Sequence, residues 1–214
     1  SRNIYKRMGF KQAVVIILVA AIFLSFLAYK FLGVKPVLKS DLKEINLPSN
    51  FKIDVYADGL GVRVVSTPGP SPGPRMMEFR DGMLFASIPS RGEVVVLPDT
   101  NKDGKSDGTI TFISGLNKPH GLTFYGEWLY IAEENRVIRV KDMNNDLNAD
   151  METLEVLIGD LPTGGHFTRT IKIRDGSLYI SMGSSCNVCR EEDERRAAIT
   201  KCDLDGNNCR IFAS

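Results

Sequence analysis

"MMEFRDGMLFAS" (residues 76–87), "GLTFYGEWLYIA" (121–132) and "RTIKIRDGSLYIS" (169–181) are three versions of one pattern. Each is an apolar strand-like run, a turn of two to four residues, and a second run in which Leu precedes an aromatic residue. The pairs are Leu84-Phe85, Leu129-Tyr130 and Leu178-Tyr179, 45 and 49 residues apart. Such a period, with several strands per unit, marks the blades of a β-propeller. A four-stranded sheet has two apolar faces and cannot bury both alone; neighbouring blades bury them.

The spacing predicts an all-β chain with three blades. The first has strands near 75–80, 83–88, 93–97 and 109–113. The second has strands near 121–125, 128–132, 136–140 and 153–157. The third has strands near 168–173, 177–182, 198–202 and 209–213. "FKIDVYA" (51–57) reads as a strand of a further blade, making three to four in all. "STPGPSPGPR" (66–75) is too rich in Pro and Gly for a strand and reads as a loop. Propellers commonly close with about four to eight blades, so this count describes part of a longer ring.

Up-and-down blades sort their loops between two faces. Connections entering a first strand share a face with the loops between second and third strands. His120, in "NKPHGLTF", and His166, in "LPTGGHFTRTIKI", both enter first strands and therefore share a face. Pro89–Gly92, Glu133–Asn135 and the 183–197 loop join them. Polar groups converging at a channel mouth are a candidate site. His120 also reads as a loop residue packed on Pro119, and Glu133 and Glu134 as a solvated turn.

The acidic loops fall on the other face. "DTNKDGKSD" puts Asp99, Asn101, Asp103 and Asp107 at relative positions 1, 3, 5 and 9, with Gly104 at 6. This is the ligand spacing of a calcium loop, although Ile110 stands where a bidentate Glu is expected. "DMNNDLNAD" repeats it with Asp142, Asn144, Asp146 and Asp150, Leu147 replacing the glycine. Both also read as solvated hairpin loops that use Asp and Asn for turn geometry.

Cys186 and Cys189 form a C-x-x-C, followed by Arg190 rather than the His of a haem site. Cys202 and Cys209 flank "DLDGNN" and face each other across a predicted hairpin. Four cysteines allow three pairings. The favoured reading is 186–189 with 202–209, in an oxidising compartment; a four-cysteine zinc site is the alternative.

Residues 13–29, "AVVIILVAAIFLSFLAY", carry no charge. As a helix they are about 26 Å long, and about 33 Å if continued to Val34, with Lys30 reaching the interface. The organisation expected is a basic cytoplasmic N-terminus (1–12), a transmembrane signal anchor (13–34), a linker (35–48) and the partial propeller (49–214). A cleaved signal peptide is the alternative. Lys and Arg counts on the two sides tie, so the cysteines decide the orientation. The propeller then lies on the periplasmic or extracellular side of a single-pass protein of the plasma (inner) membrane. Six of the 27 basic residues and none of the 26 acidic ones lie in the first 35, leaving 21 against 26 in the body. That mildly acidic body argues against nucleic acid as a partner.

"LPTGGHFTRTIKI" (161–173), "GSLYISMGSSCNVC" (176–189), "EEDERRAAITKCDLDGNN" (191–208), "VVVLPDTNKDGKSDG" (94–108), "GLNKPHGLTF" (115–124) and "LYIAEENRVIRV" (129–140) together resemble the glucose/sorbosone dehydrogenase family. The resemblance covers roughly residues 47–214. It implies a six-bladed propeller that binds pyrroloquinoline quinone (PQQ) and Ca2+, of which this chain holds the N-terminal portion. It implies oxidation of aldoses or sugar aldehydes, such as glucose or sorbosone, with hydride passing to the quinone. His166 matches the general base, in the loop before a channel-lining strand; histidine suits the task because it ordinarily titrates near about 6.5. Arg169 matches an arginine at the start of that strand, where it faces anionic or carbonyl oxygens. The offset between them is three residues here and four in the better-known sugar dehydrogenases. The family's cofactor ligands lie mostly further along, and the electron acceptor is not indicated.

Two other functions compete. One is a non-catalytic propeller that binds a partner on its face. The other is a lactonase-type, metal-dependent hydrolase, for which Glu133 and Glu134 are the only candidate channel carboxylates.

Overall fold

The computed structural model describes residues 45–61 and 73–214. The basic N-terminus and the proposed anchor at 13–34 lie outside the described residues, as does most of the linker. Among the described residues no helix is long and apolar enough to cross a membrane.

Twelve strands form three antiparallel four-stranded sheets, each in simple sequence order. The first blade is β1 (Met77–Arg80), β2 (Met83–Ile88), β3 (Glu93–Leu97) and β4 (Ile110–Ile113). The second is β5 (Gly121–Tyr125), β6 (Trp128–Ala132), β7 (Val137–Lys141) and β8 (Asp150–Ile158). The third is β9 (Arg169–Arg174), β10 (Ser177–Met182), β11 (Ile199–Asp203) and β12 (Arg210–Ala213). The β1–β2 and β9–β10 turns are Asp-Gly pairs, Asp81-Gly82 and Asp175-Gly176, and all four residues have φ between +49° and +79°. Two consecutive left-handed residues make the tight hairpin whose twist matches its strands.

The Leu-aromatic pair of each blade shows why the repeat recurs. Adjacent strand residues point to opposite faces. Phe85 enters the core shared by the first and second blades, with Phe112, Leu122, Leu129, Ile131 and Ile138. Tyr130 enters the core shared by the second and third, with Ile171, Leu178 and Ile180. Each aromatic thus faces the next blade, and Leu129 and Leu178 face the blade before. Tyr179 continues the series, half-buried, with its ring edge-on to Phe212, which is 59% exposed.

"FKIDVYA" is not a strand. It lies along the first blade as irregular chain, where Tyr56 and Leu60 cover Leu84, Ala86, Ile88, Val95 and Leu97. The Tyr56 hydroxyl donates to Leu97 O at 3.0 Å. A strand needs a ladder partner, and 51–57 pairs with none among the described residues. The described blades therefore number three.

The blades are tied together at their inner strands. Gly121 sits so close to β9 that a Cβ there would strike Arg169 O and come within 2.8 Å of Ile171 N. The Lys172 ammonium on β9 also pairs with Glu78 on β1, the first strand of the first blade, at 2.9 Å.

Candidate functional site

The connections entering the three blades meet, as the alternation of turns requires. The buried Ser87 hydroxyl donates to His120 O at 2.7 Å, joining the first blade to the second. His120 Nδ1–H donates to Arg169 O at 3.2 Å, joining the second to the third. Burial pushes the His120 pKa below its ordinary value; the bond to Arg169 O opposes this, and the charges of Arg75 and Arg169 add to it. His120 is therefore a neutral, buried ring that holds the blades in register.

Phe167 lies at the centre of this meeting point. His120 stands edge-on to it, with ring centroids 6.2 Å apart. Lys118 Nζ is 5.7 Å and Arg75 Cζ 5.9 Å from the Phe167 centroid. Both cations are exposed. Each blade thus sends a cation or an imidazole to one mouth from the connection entering its first strand.

His166 is exposed one residue before Phe167. Its backbone N–H donates to Ser184 O at 2.9 Å, and its Nε2–H to Asn187 Oδ1 at 2.9 Å. The 162–168 loop is bound into place from below. Arg196 donates to Gly164 O and Thr163 O at 3.1 and 2.5 Å. Gly164 N–H donates to the Glu134 carboxylate at 3.2 Å.

Arg169 is fully buried, and its guanidinium does not open to the mouth. It donates to His166 O at 3.1 Å, to Thr168 O at 2.9 Å and to Pro162 O, while Nε is buried without an acceptor. The oxygens it faces are the carbonyls of its own loop, so it holds the loop that carries His166.

Glu133 and Glu134 are not a solvated turn. Glu133 is completely buried and accepts from Asn117 N–H at 2.5 Å and Arg136 at 2.6 Å. Glu134 accepts from Lys118 Nζ at 2.6 Å as well as from Gly164. Burial pushes the Glu134 carboxyl up, but the Lys118 and Gly164 bonds and the charges of Lys118 and Arg169 outweigh it and hold the pKa below the ordinary value. These carboxylates pin connections of neighbouring blades and are not free to ligate a catalytic metal.

The acidic loops are near copies of each other, on the opposite face. Asp99 accepts from the amides of Asp103 and Gly104 at 3.1 and 3.0 Å; Asp142 accepts from Asp146 and Leu147 at 3.1 and 3.0 Å. Asn101 and Asn144 each accept from the residue two further on. Asp107 accepts from Thr100, and Asp150 from Met143. Among the described residues no three His, Cys, Asp or Glu side chains converge to hold a metal ion, so neither loop is a ready-made cage. A cleft of about 410 Å³ opens beside the second loop, lined by Phe85, Phe112 and Phe124. Its rim charges are spent on each other, Arg80 with Asp81 and Lys141 with Glu127, and neither histidine reaches it.

Cys186 pairs with Cys189 and Cys202 with Cys209, leaving no cysteine for a zinc site among the described residues. Arg75, Lys118, Phe167 and Asn187 were not singled out from the sequence. For the first three a signal existed: they occupy the same connections, entering a first strand, that marked the histidines.

A sequence profile described as a domain of unknown function, DUF7133, matches residues 72–211. No curated protein matches the chain significantly. Among solved structures, an enzyme of carbohydrate-active family AA12 from Trichoderma reesei, in iodide and calcium structures, is 24% identical, with a TM-score of 0.53 over 75% of this chain and 42% of its own. The holo form of the pyranose dehydrogenase PQQ domain from Coprinopsis cinerea is 21% identical, with a TM-score of 0.51 over 62% of this chain and 34% of its own. The likeness is one of fold, and the chain spans less than half the length of these structures.

Proposed function

The chain belongs to the DUF7133 family, and we propose that it is part of a membrane-anchored, quinone-dependent oxidoreductase acting on CH–OH groups of aldoses or sugar aldehydes. The observation that carries this reading is an exposed imidazole, His166, held by its backbone and by Asn187 and followed in the chain by Phe167, the ring that Arg75 and Lys118 face. The fold shared with a PQQ domain supports it. So do the sequence motifs between Gly164 and Arg196.

Oxidation of a sugar hydroxyl removes a hydride from carbon and a proton from oxygen. PQQ, when bound, supplies the two-electron hydride acceptor. The residues present suit an anionic quinone: Arg75 offers exposed positive charge at the mouth, and Lys118, bridged to Glu134, a half-exposed second cation. His166 takes the hydroxyl proton. Arg169 and Glu134 act behind it, fixing the loop from which His166 works. Ca2+ at 99–107 is proposed as structural, on the opposite face. In this reading the segment at 13–34 is the anchor, and the two disulfides favour a propeller outside the plasma membrane, where such bonds persist.

The test is cofactor binding by the full-length natural protein. Addition of PQQ and Ca2+ is expected to raise Tm, and charge reversal at Arg75 and Lys118 to reduce the rise. A protein indifferent to the quinone would instead be a binding module. The lactonase reading is disfavoured because Glu133 and Glu134 are already hydrogen-bonded within the fold.

A further inference from the structure

The 183–197 loop carries the Cys186–Cys189 disulfide, and Asn187 lies inside its ring. The 183–197 loop meets the His166 segment at three levels. His166 N–H donates to Ser184 O at 2.9 Å, and Gly183 N–H donates back to Thr168 O at 3.1 Å. Gly183 permits the contact, since a Cβ there would lie 2.7 Å from His166 Cβ. At the tip, Asn187 Oδ1 meets His166 Nε2 at 2.9 Å.

We propose that the Cys186–Cys189 crosslink and Asn187 together form a positioning device that holds the His166 ring as the Nε2–H form, leaving Nδ1 as its proton-accepting atom. A carbonyl oxygen only accepts, so the bond to Asn187 requires hydrogen on Nε2. A neutral imidazole then has its lone pair on Nδ1. The crosslink matters because little else holds the tip. Asn187 is exposed and Val188 is 95% exposed, so no packing fixes them. The other restraints lie at the base of the ring, where Ser184 Oγ donates to Cys186 O at 2.8 Å and Ser185 N–H donates to Glu191 at 2.9 Å. Asn187 is a positioning residue, since it acts through His166. Its catalytic consequence rests on His166 being the base; the hydrogen bond does not.

The test is nitrogen-15 NMR of labelled histidine in the full-length protein, with the His166 signals assigned by their loss in His166→Asn. The charged groups around the ring are Arg169, Arg196 and Glu134 behind the loop and Glu191 on the facing loop. None of the variants alters them. The wild type should show a Nε2–H proton protected from solvent exchange. Asn187→Ala and Cys186→Ser/Cys189→Ser should both lose it. Asn187→Asp should keep it and shift the His166 titration upward. Sugar oxidation should fall at least tenfold in Asn187→Ala, part of the roughly 10²–10⁴-fold that a positioned base contributes. A wild type protonated on Nδ1, or a Nε2–H signal unchanged in Asn187→Ala, overturns the proposal. A Nε2–H signal that follows these variants in a protein without sugar oxidation upholds the device and removes the base reading instead.

Discussion

His120 Nδ1 donates to the carbonyl of Arg169, 3.2 Å away on the neighbouring blade. One bond thus joins the connection entering the second blade to the strand that begins behind His166. The His120 carbonyl is held in turn by Ser87 of the first blade. His120 thus ties the second blade to the third through its buried imidazole and to the first through its carbonyl.

That imidazole sets a pH dependence. Burial, first, and the charges of Arg75 and Arg169 keep its folded pKa below the unfolded value of about 6.5. Its stabilisation is present above the unfolded value and is lost as pH falls through the folded pKa, because the unfolded chain then binds more protons. Tm should fall between pH 7 and 5, and His120→Gln should flatten that slope. An equal slope in the variant would place the pH sensitivity elsewhere.

Gly121 allows the second and third blades to approach. Gly121→Ala forces Cβ against the β9 backbone, which cannot turn aside like a side chain. A loss of about 1–3 kcal/mol is expected in denaturant unfolding, against a few tenths for Gly159→Ala, where nothing lies within 4 Å and φ is not in the left-handed region.

Glu134 couples the two histidine loops through Lys118 and Gly164. Glu134→Ala should cost about 0.5–1.5 kcal/mol, since the freed donors, Lys118 and Gly164, are exposed and turn to water. It should also speed amide exchange at Gly164, read by NMR. Unchanged exchange would show that Arg169 and Arg196 suffice to hold the loop.

Calcium at 99–107 predicts a Tm that rises with added Ca2+ and falls with chelator, and Asp99→Ala should remove both effects. The 142–150 loop should respond less. Leu147 stands there in the left-handed region, at φ +65°, and packs against the core, which limits the rearrangement needed to wrap an ion. Stability indifferent to chelator would leave both loops as hairpin turns.

The blades were legible because their signals are local. Asp-Gly turns and alternating apolar residues placed every predicted blade strand within a few residues of its observed bounds. The shared face of His120 and His166 followed from counting turns. The 51–57 segment misled because its strand-like pattern says nothing of a partner strand. The partners of Arg169 and Glu134 were hidden for a different reason. Arg169 turns back onto the carbonyls of its own loop, and Glu134 meets Lys118 and Gly164 of two other connections, contacts made only by folding. Asn187 lacked any sequence signal, because its meeting with His166 depends on how two loops stack.

The central claim is that His166 is the proton acceptor of a quinone-dependent sugar oxidation. It is tested by sugar-dependent dye reduction in the full-length natural protein supplied with PQQ and Ca2+, comparing wild type with His166→Ala at equal cofactor loading and equal Tm. The account predicts turnover on at least one aldose in the wild type and a loss of roughly 10²–10⁴-fold in the variant. Equal turnover in the two proteins, or none in a quinone-loaded wild type across an aldose panel, would contradict it.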